Sequence, residues 1–197
     1  MKKNSLNLPN ILSLLRVAMV PAFMATLLFM QEVAIWGRIV PMLIFCLAAF
    51  TDFLDGYIAR KRKLVTDFGK LIDPLADKFM VFGALVSLLV TDVKIAPVLV
   101  WVAALIMFRE LGVTSLRLVV AGKSGKVVAA SLLGKLKTVS QMVGFILIFI
   151  DPILGELFPF LQNRLVSYIA LGVMSVTTVF SGIDYAVALF PLIDTNE

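Results

Sequence analysis

The hydrophobic positions of this chain do not alternate with polar ones. They run on in six long stretches broken by short polar links. Ile11–Met30, Trp36–Arg60, Leu71–Thr91, Ile95–Leu118, Ala129–Ile150 and Leu165–Leu192 each come near the ~20 residues that carry a helix across a hydrocarbon layer. Inside a bilayer a spanning segment must satisfy its own backbone polar groups, so the pattern predicts helices. The expected fold is all-α, an integral membrane bundle of six transmembrane helices forming a single domain over residues 1–197. Met1–Asn10, with Lys2, Lys3, Leu6, Leu8 and Pro9, reads as a short interfacial segment ahead of the first span. Val119–Val128 reads as a turn, and Asp151–Arg164, rich in proline and phenylalanine, as an interfacial loop.

Composition narrows the chemistry. With 60% hydrophobic residues, 16% charged and a mean hydropathy of +1.01, a soluble globule is implausible. The first apolar run lacks a small-residue cleavage site and is long enough to stay as a span, so no signal peptide is expected. There is no histidine, which removes histidine bases, Ser-His catalysis and histidine metal sites. Cys46 is the only cysteine and reads as a packing residue. Ala121-Gly-Lys-Ser-Gly-Lys126 is no phosphate loop, because no strand precedes it and the spacing differs.

Charge sets an orientation. Arg38, Lys94 and Arg164 fall on one side, and the other fifteen of eighteen basic residues (18 − 3) lie on or towards the other. The positive-inside rule then puts both termini and the basic run Arg60–Lys63 at the cytoplasmic face of the cell membrane.

Four aspartates on that side are the candidate chemistry. Asp52 and Asp55 end the second run, and Asp73 and Asp77 open the third. At 100° per residue Asp52, Asp55 and Ala59 lie within about 60° on one helical face, while Asp73 and Asp77 stack four residues apart. A carboxylate deep in a membrane costs roughly 2.5–3.5 kcal/mol, and four together repel. A hard divalent cation with oxygen ligands relieves both penalties, which points to Mg²⁺ or Mn²⁺. Helix capping is the simpler account of Asp73, which precedes Pro74, but it leaves Asp52, Asp55 and Asp77 unexplained.

The spacing Asp52-x2-Asp55-Gly56-x2-Ala59-Arg60-x8-Gly69-x3-Asp73-x3-Asp77 resembles the complete signature of the CDP-alcohol phosphotransferases, with none of its eight fixed positions missing. The resemblance implies a membrane enzyme that displaces CMP from a CDP-linked substrate. It implies metal, as two ions, on Asp52, Asp55, Asp73 and Asp77, with Asp77 also the general base. It also implies that Gly56, Ala59, Arg60, Thr66 and Gly69 border the CDP-lipid site, joined by Asn10, Ser13 and Arg16 from the first span. Arg16 read alone fits snorkelling to head groups equally well.

Phe108-Arg109-Glu110, Leu116-Arg117 and Gly134-Lys135-Leu136-Lys137-Thr138-x2-Gln141 resemble the phosphatidylglycerophosphate-forming branch of that family. That implies CDP-diacylglycerol as donor and glycerol 3-phosphate as acceptor. Arg109, Arg117, Lys135 and Lys137 are then expected to converge on the acceptor phosphate, since a dianion needs cations that the metals do not supply. Positive-inside anchors touching lipid are the plainer reading of the same four residues. Membrane lipids and a second copy, as a homodimer, are implied partners, and nucleic acid is not. Another alcohol acceptor, such as inositol phosphate or phosphatidylglycerol, would use the same aspartates. An intramembrane prenyltransferase and a cation transporter are remoter alternatives. The role of Asp184 stays open between a surface acid and a partner for a basic residue.

Overall fold

The computed structural model describes residues 8–33, 35–62, 67–124 and 131–194, with the side chains of 8–9, 53, 55–57, 59–62, 67–68, 70–71, 123–124 and 192–194 outside the description. Among the described residues the regular structure is helical: α1 (Leu8–Phe29), α2 (Trp36–Arg62), α3 (Asp67–Thr91), α4 (Ala96–Ser124), α5 (Leu132–Leu157) and α6 (Leu165–Asp194), plus one 3-10 turn at Pro159–Leu161. Five of the six helices are long and apolar enough to cross a membrane. The sixth, α2, is of similar length, and its apolar run from Ile39 to Phe50 leads into the acidic and basic motif. The chain is a multi-pass membrane protein.

Large side chains such as Phe108, Leu132 and Trp101 point outward, while Ser87, Ser167, Thr178 and Ser181 are buried. This is the distribution a lipid-facing exterior favours, because lipid is as apolar as leucine and polar groups need protein partners.

The helices form two compact units, Met1–Val93 and Lys94–Glu197. In the first, α1 packs along both α2 and α3, which touch each other little. Phe23 and Phe45 seal that core, with ring centroids 5.9 Å apart. In the second unit α6 packs along both α4 and α5. Each unit thus has one central helix, and that helix decides which side chains of the other two meet.

Helix ends differ from the sequence expectation in consistent ways. α1 begins at Leu8, inside the expected interfacial segment, whose first seven residues lie outside the described ones. The expected turn at Val119–Val128 is helical as far as Ser124, with 125–130 outside the described residues. The expected loop after Asp151 is helix to Leu157, running through Pro152. Pro21, Pro41, Pro74 and Pro191 are likewise inside helices. Packing against neighbouring helices holds these segments helical despite the missing donors, so proline is a weak stop signal here. α3 starts at Asp67, so Asp73 is not its cap and the simpler account of that residue fails.

The end of α5 shows what replaces the expected loop. Asp151 is fully buried, and its Oδ2 accepts from the Ser167 backbone N–H at 3.1 Å, the Ser167 hydroxyl at 2.5 Å and Arg164 Nη1 at 3.4 Å. The carboxylate therefore satisfies the first turn of α6 from a different helix.

Candidate active site

In the first unit the site is built on one turn of α1. Asn10, Ser13 and Arg16 all face inward, at 2%, 1% and 1% exposure. Ser13 Oγ donates to Asp73 Oδ1 at 2.5 Å, and Arg16 Nη1 donates to Asp52 Oδ1 at 2.5 Å. Residues three apart on a helix are neighbours, so Asp52 of α2, ten residues before that helix ends, and the second turn of α3 are drawn to the same place on α1. Arg16 does not snorkel; it is an ion-pair partner. Asp52 keeps half of its side-chain surface in solvent.

Asp77 sits one turn beyond Asp73 on α3 and is half-buried, while Gly69 is buried one turn before it. The backbone of Asp55, Gly56, Ala59 and Arg60 continues α2, but their side chains lie outside the described residues, as does Thr66 altogether.

The donor set suits a hard divalent cation. It consists of carboxylate oxygens, two of the acids are held by α1, and Asp52 is open to solvent. Among the described residues no three acidic, histidine or cysteine side chains already form a metal-sized group. The side chain of Asp55 is not among them.

The second unit holds a buried cationic network. Glu110 Oε1 receives Arg109 Nη1 at 3.2 Å and also the Lys137 ammonium. Arg109 donates as well to the Ser181 hydroxyl, and Arg117 to the Tyr185 hydroxyl. Both guanidinium groups lie over the Tyr185 ring, 5.2 Å and 4.6 Å from its centroid. Lys137, Glu110 and Arg109 side chains are 5%, 15% and 10% exposed. Three of the four expected acceptor cations are therefore gathered around α6, and Lys135 is exposed and takes no part in the network.

Sequence reasoning had no means of finding Ser181 and Tyr185. They lie in α6, which carries no charge before Asp184, and only their spacing of four residues sets them on one face. The α5 end of the network is fixed by Ser131, whose hydroxyl caps the helix by accepting from Gly134 N at 3.0 Å.

Fold and site together define a helical membrane protein with two aspartates held on α1 in one three-helix unit and buried cations in the other. Residues 6–183 match the CDP-alcohol phosphatidyltransferase family, and the match runs through both units. The chain belongs to that family and is a membrane transferase. It is 42% identical over 193 residues to a CDP-diacylglycerol–glycerol-3-phosphate 3-phosphatidyltransferase of Bacillus subtilis (strain 168), covering 91% of this chain and 93% of the relative. A probable phosphatidylglycerophosphate synthase of Mycobacterium tuberculosis (strain ATCC 25618 / H37Rv) is 39% identical over 91% of this chain and 79% of its own length. A CDP-diacylglycerol–glycerol-3-phosphate 3-phosphatidyltransferase of Rickettsia bellii (strain RML369-C) is 38% identical, over 91% of this chain and 93% of its own.

Proposed function

We propose that this protein transfers the phosphatidyl group of CDP-diacylglycerol to glycerol 3-phosphate, releasing CMP. The observation that carries the reading is the convergence of Asp52 and Asp73 on one turn of α1. Two acids from two helices, presented side by side, form a platform for a diphosphate and its counter-ions. Relatives that this chain matches along most of its length bear the name of this activity.

Asp52, Asp55, Asp73 and Asp77 would hold divalent metal, Mg²⁺ or Mn²⁺, which when bound neutralises the diphosphate and the charge that develops on departing CMP. The chain's own groups do the rest. Arg16, and Arg60 at the end of the motif, offer guanidinium donors to the phosphates of the donor lipid. Arg109, Arg117 and Lys137 hold the phosphate of the acceptor. Asp77 takes the proton of the attacking hydroxyl. That oxygen forms a bond to the phosphatidyl phosphorus, the bond from phosphorus to the CMP oxygen breaks, and CMP leaves with the electron pair. Positioning and electrostatics carry such a reaction, so no covalent nucleophile is needed.

The basic residues orient the chain with both termini and the aspartates in the cytoplasm, and a homodimer is the expected assembly. The experiment is a CMP-release assay on purified protein in detergent, with CDP-diacylglycerol and a panel of alcohol acceptors. Selective turnover with glycerol 3-phosphate supports the reading. Turnover only with another acceptor moves the protein to a sibling activity, and no CMP with any of them overturns it.

A further inference from the structure

Deeper in the second unit, the donors and acceptors around Tyr185 do not balance. Among the described residues the carboxylate of this network, Glu110, is engaged by Arg109 and Lys137, while Arg117 donates to Tyr185. The Nε of Arg109 and the Nε of Arg117 are buried and have no hydrogen-bond partner among the described residues. Tyr185 is 3% exposed, and its oxygen accepts from Arg117 Nη2 and from the Ser131 backbone N–H at 3.0 Å. Both of those bonds use the oxygen as acceptor. The phenolic proton is thus left over, and among the described residues it has no acceptor.

Buried donors without acceptors are costly, and two guanidinium groups over one ring repel. An anion satisfies all of them at once. We propose that Tyr185 is a further binding residue for the acceptor, donating its phenolic proton to the acceptor phosphate while its ring seats Arg109 and Arg117 against that phosphate. The inference rests on the acceptor reading above and adds a neutral, directional donor to its cations.

Helix α5 is cut to fit this arrangement. A methyl group at Gly134 would stand 2.8 Å from the Tyr185 oxygen and 3.0 Å from its ring, so only glycine lets α5 approach. Gly134 thereby offers a perturbation that removes no charge and no hydroxyl.

The test uses full-length enzyme in detergent, with Tyr185→Phe, Gly134→Ala and Arg117→Gln compared with wild type. The measurements are kcat/KM for glycerol 3-phosphate, KM for CDP-diacylglycerol, the calorimetric Kd of glycerol 3-phosphate without donor, and thermal unfolding. Tyr185→Phe keeps the ring and loses the donor. It is expected to lower kcat/KM for the acceptor about tenfold or more, with a matching rise in Kd, since a hydrogen bond to a charged group is worth at least that. KM for the donor lipid and the unfolding temperature should stay near wild type. Gly134→Ala should reproduce the acceptor defect with every polar group present. If Tyr185→Phe binds glycerol 3-phosphate like wild type while Arg117→Gln does not, the inference fails and the acceptor reading stands. If Arg117→Gln also binds normally, both fail. Equal losses for both substrates, or losses that follow unfolding, reduce Tyr185 to a packing residue and overturn the inference.

Discussion

Arg16 on α1 and Asp52 on α2 form an ion pair with Nη1 2.5 Å from Oδ1, the arginine 1% exposed and the aspartate side chain half in solvent. On the donor-side role proposed above, this carboxylate would be shared with an incoming phosphate and its metal. Arg16→Gln should therefore lower kcat/KM for CDP-diacylglycerol by about tenfold or more, one charge-assisted bond's worth. Acceptor KM should change much less. Steady-state kinetics with each lipid and acceptor varied in turn would show it, and equal losses for both substrates would count against a donor-side role.

Chelation should silence the enzyme, and Mg²⁺ or Mn²⁺ should restore it. Asp52→Asn, Asp55→Asn and Asp73→Asn should each weaken Mn²⁺ binding, read by titration of the metal itself. Asp77→Asn should abolish turnover and leave CDP-lipid binding largely intact. Full turnover in EDTA would sink the metal reading, and a wild-type rate in Asp77→Asn would remove it as the base.

The turn between α1 and α2 is closed by backbone contact. A Cβ at Gly37 would lie 2.1 Å from the Met30 carbonyl oxygen, which cannot move aside as a side chain can. Gly37→Ala should destabilise the protein by about 1–3 kcal/mol or open the turn. Gly172→Ala, where a methyl meets nothing within 4 Å, should be neutral or slightly stabilising. Thermal unfolding of the two variants in one detergent makes the comparison.

Asp151 is predicted to be structural. Removing it in Asp151→Ala takes the carboxylate from Arg164 and from the first turn of α6, at a cost of about 3–5 kcal/mol. Arg164 itself has a positive φ of 60°, which adds to what that carboxylate must hold in place. Denaturation in detergent reads the loss. A variant as stable as wild type would show that the cap is dispensable.

Orientation can be read with cysteines introduced into a Cys46→Ala background. Those at Lys61 and Lys123 should be shielded from an impermeant thiol reagent in intact cells, and one at Lys94 should label. The reverse pattern would place the aspartates outside the cell.

Much of this protein is decided by local pattern. Six apolar runs determine six long helices, since a backbone without water must bond to itself, and the family is legible in Asp52 to Asp77 because its fixed positions sit on two consecutive helices. Helix ends were less legible, as at Pro74 and Pro152, where neighbouring helices outweigh the missing donor. What only the tertiary structure decided is partnership. Nothing in Ser13-x2-Arg16 states that one residue meets Asp73 and the other Asp52, for those pairs are 60 and 36 residues apart. Likewise four basic residues on α4 and α5 look equivalent along the chain, yet Arg109, Arg117 and Lys137 turn inward and Lys135 outward. The ring that the two arginines lie over, Tyr185, carries no charge and sits on a third helix. Side-chain direction around a helix axis acquires meaning only when another helix lies against it, and that is a property of packing.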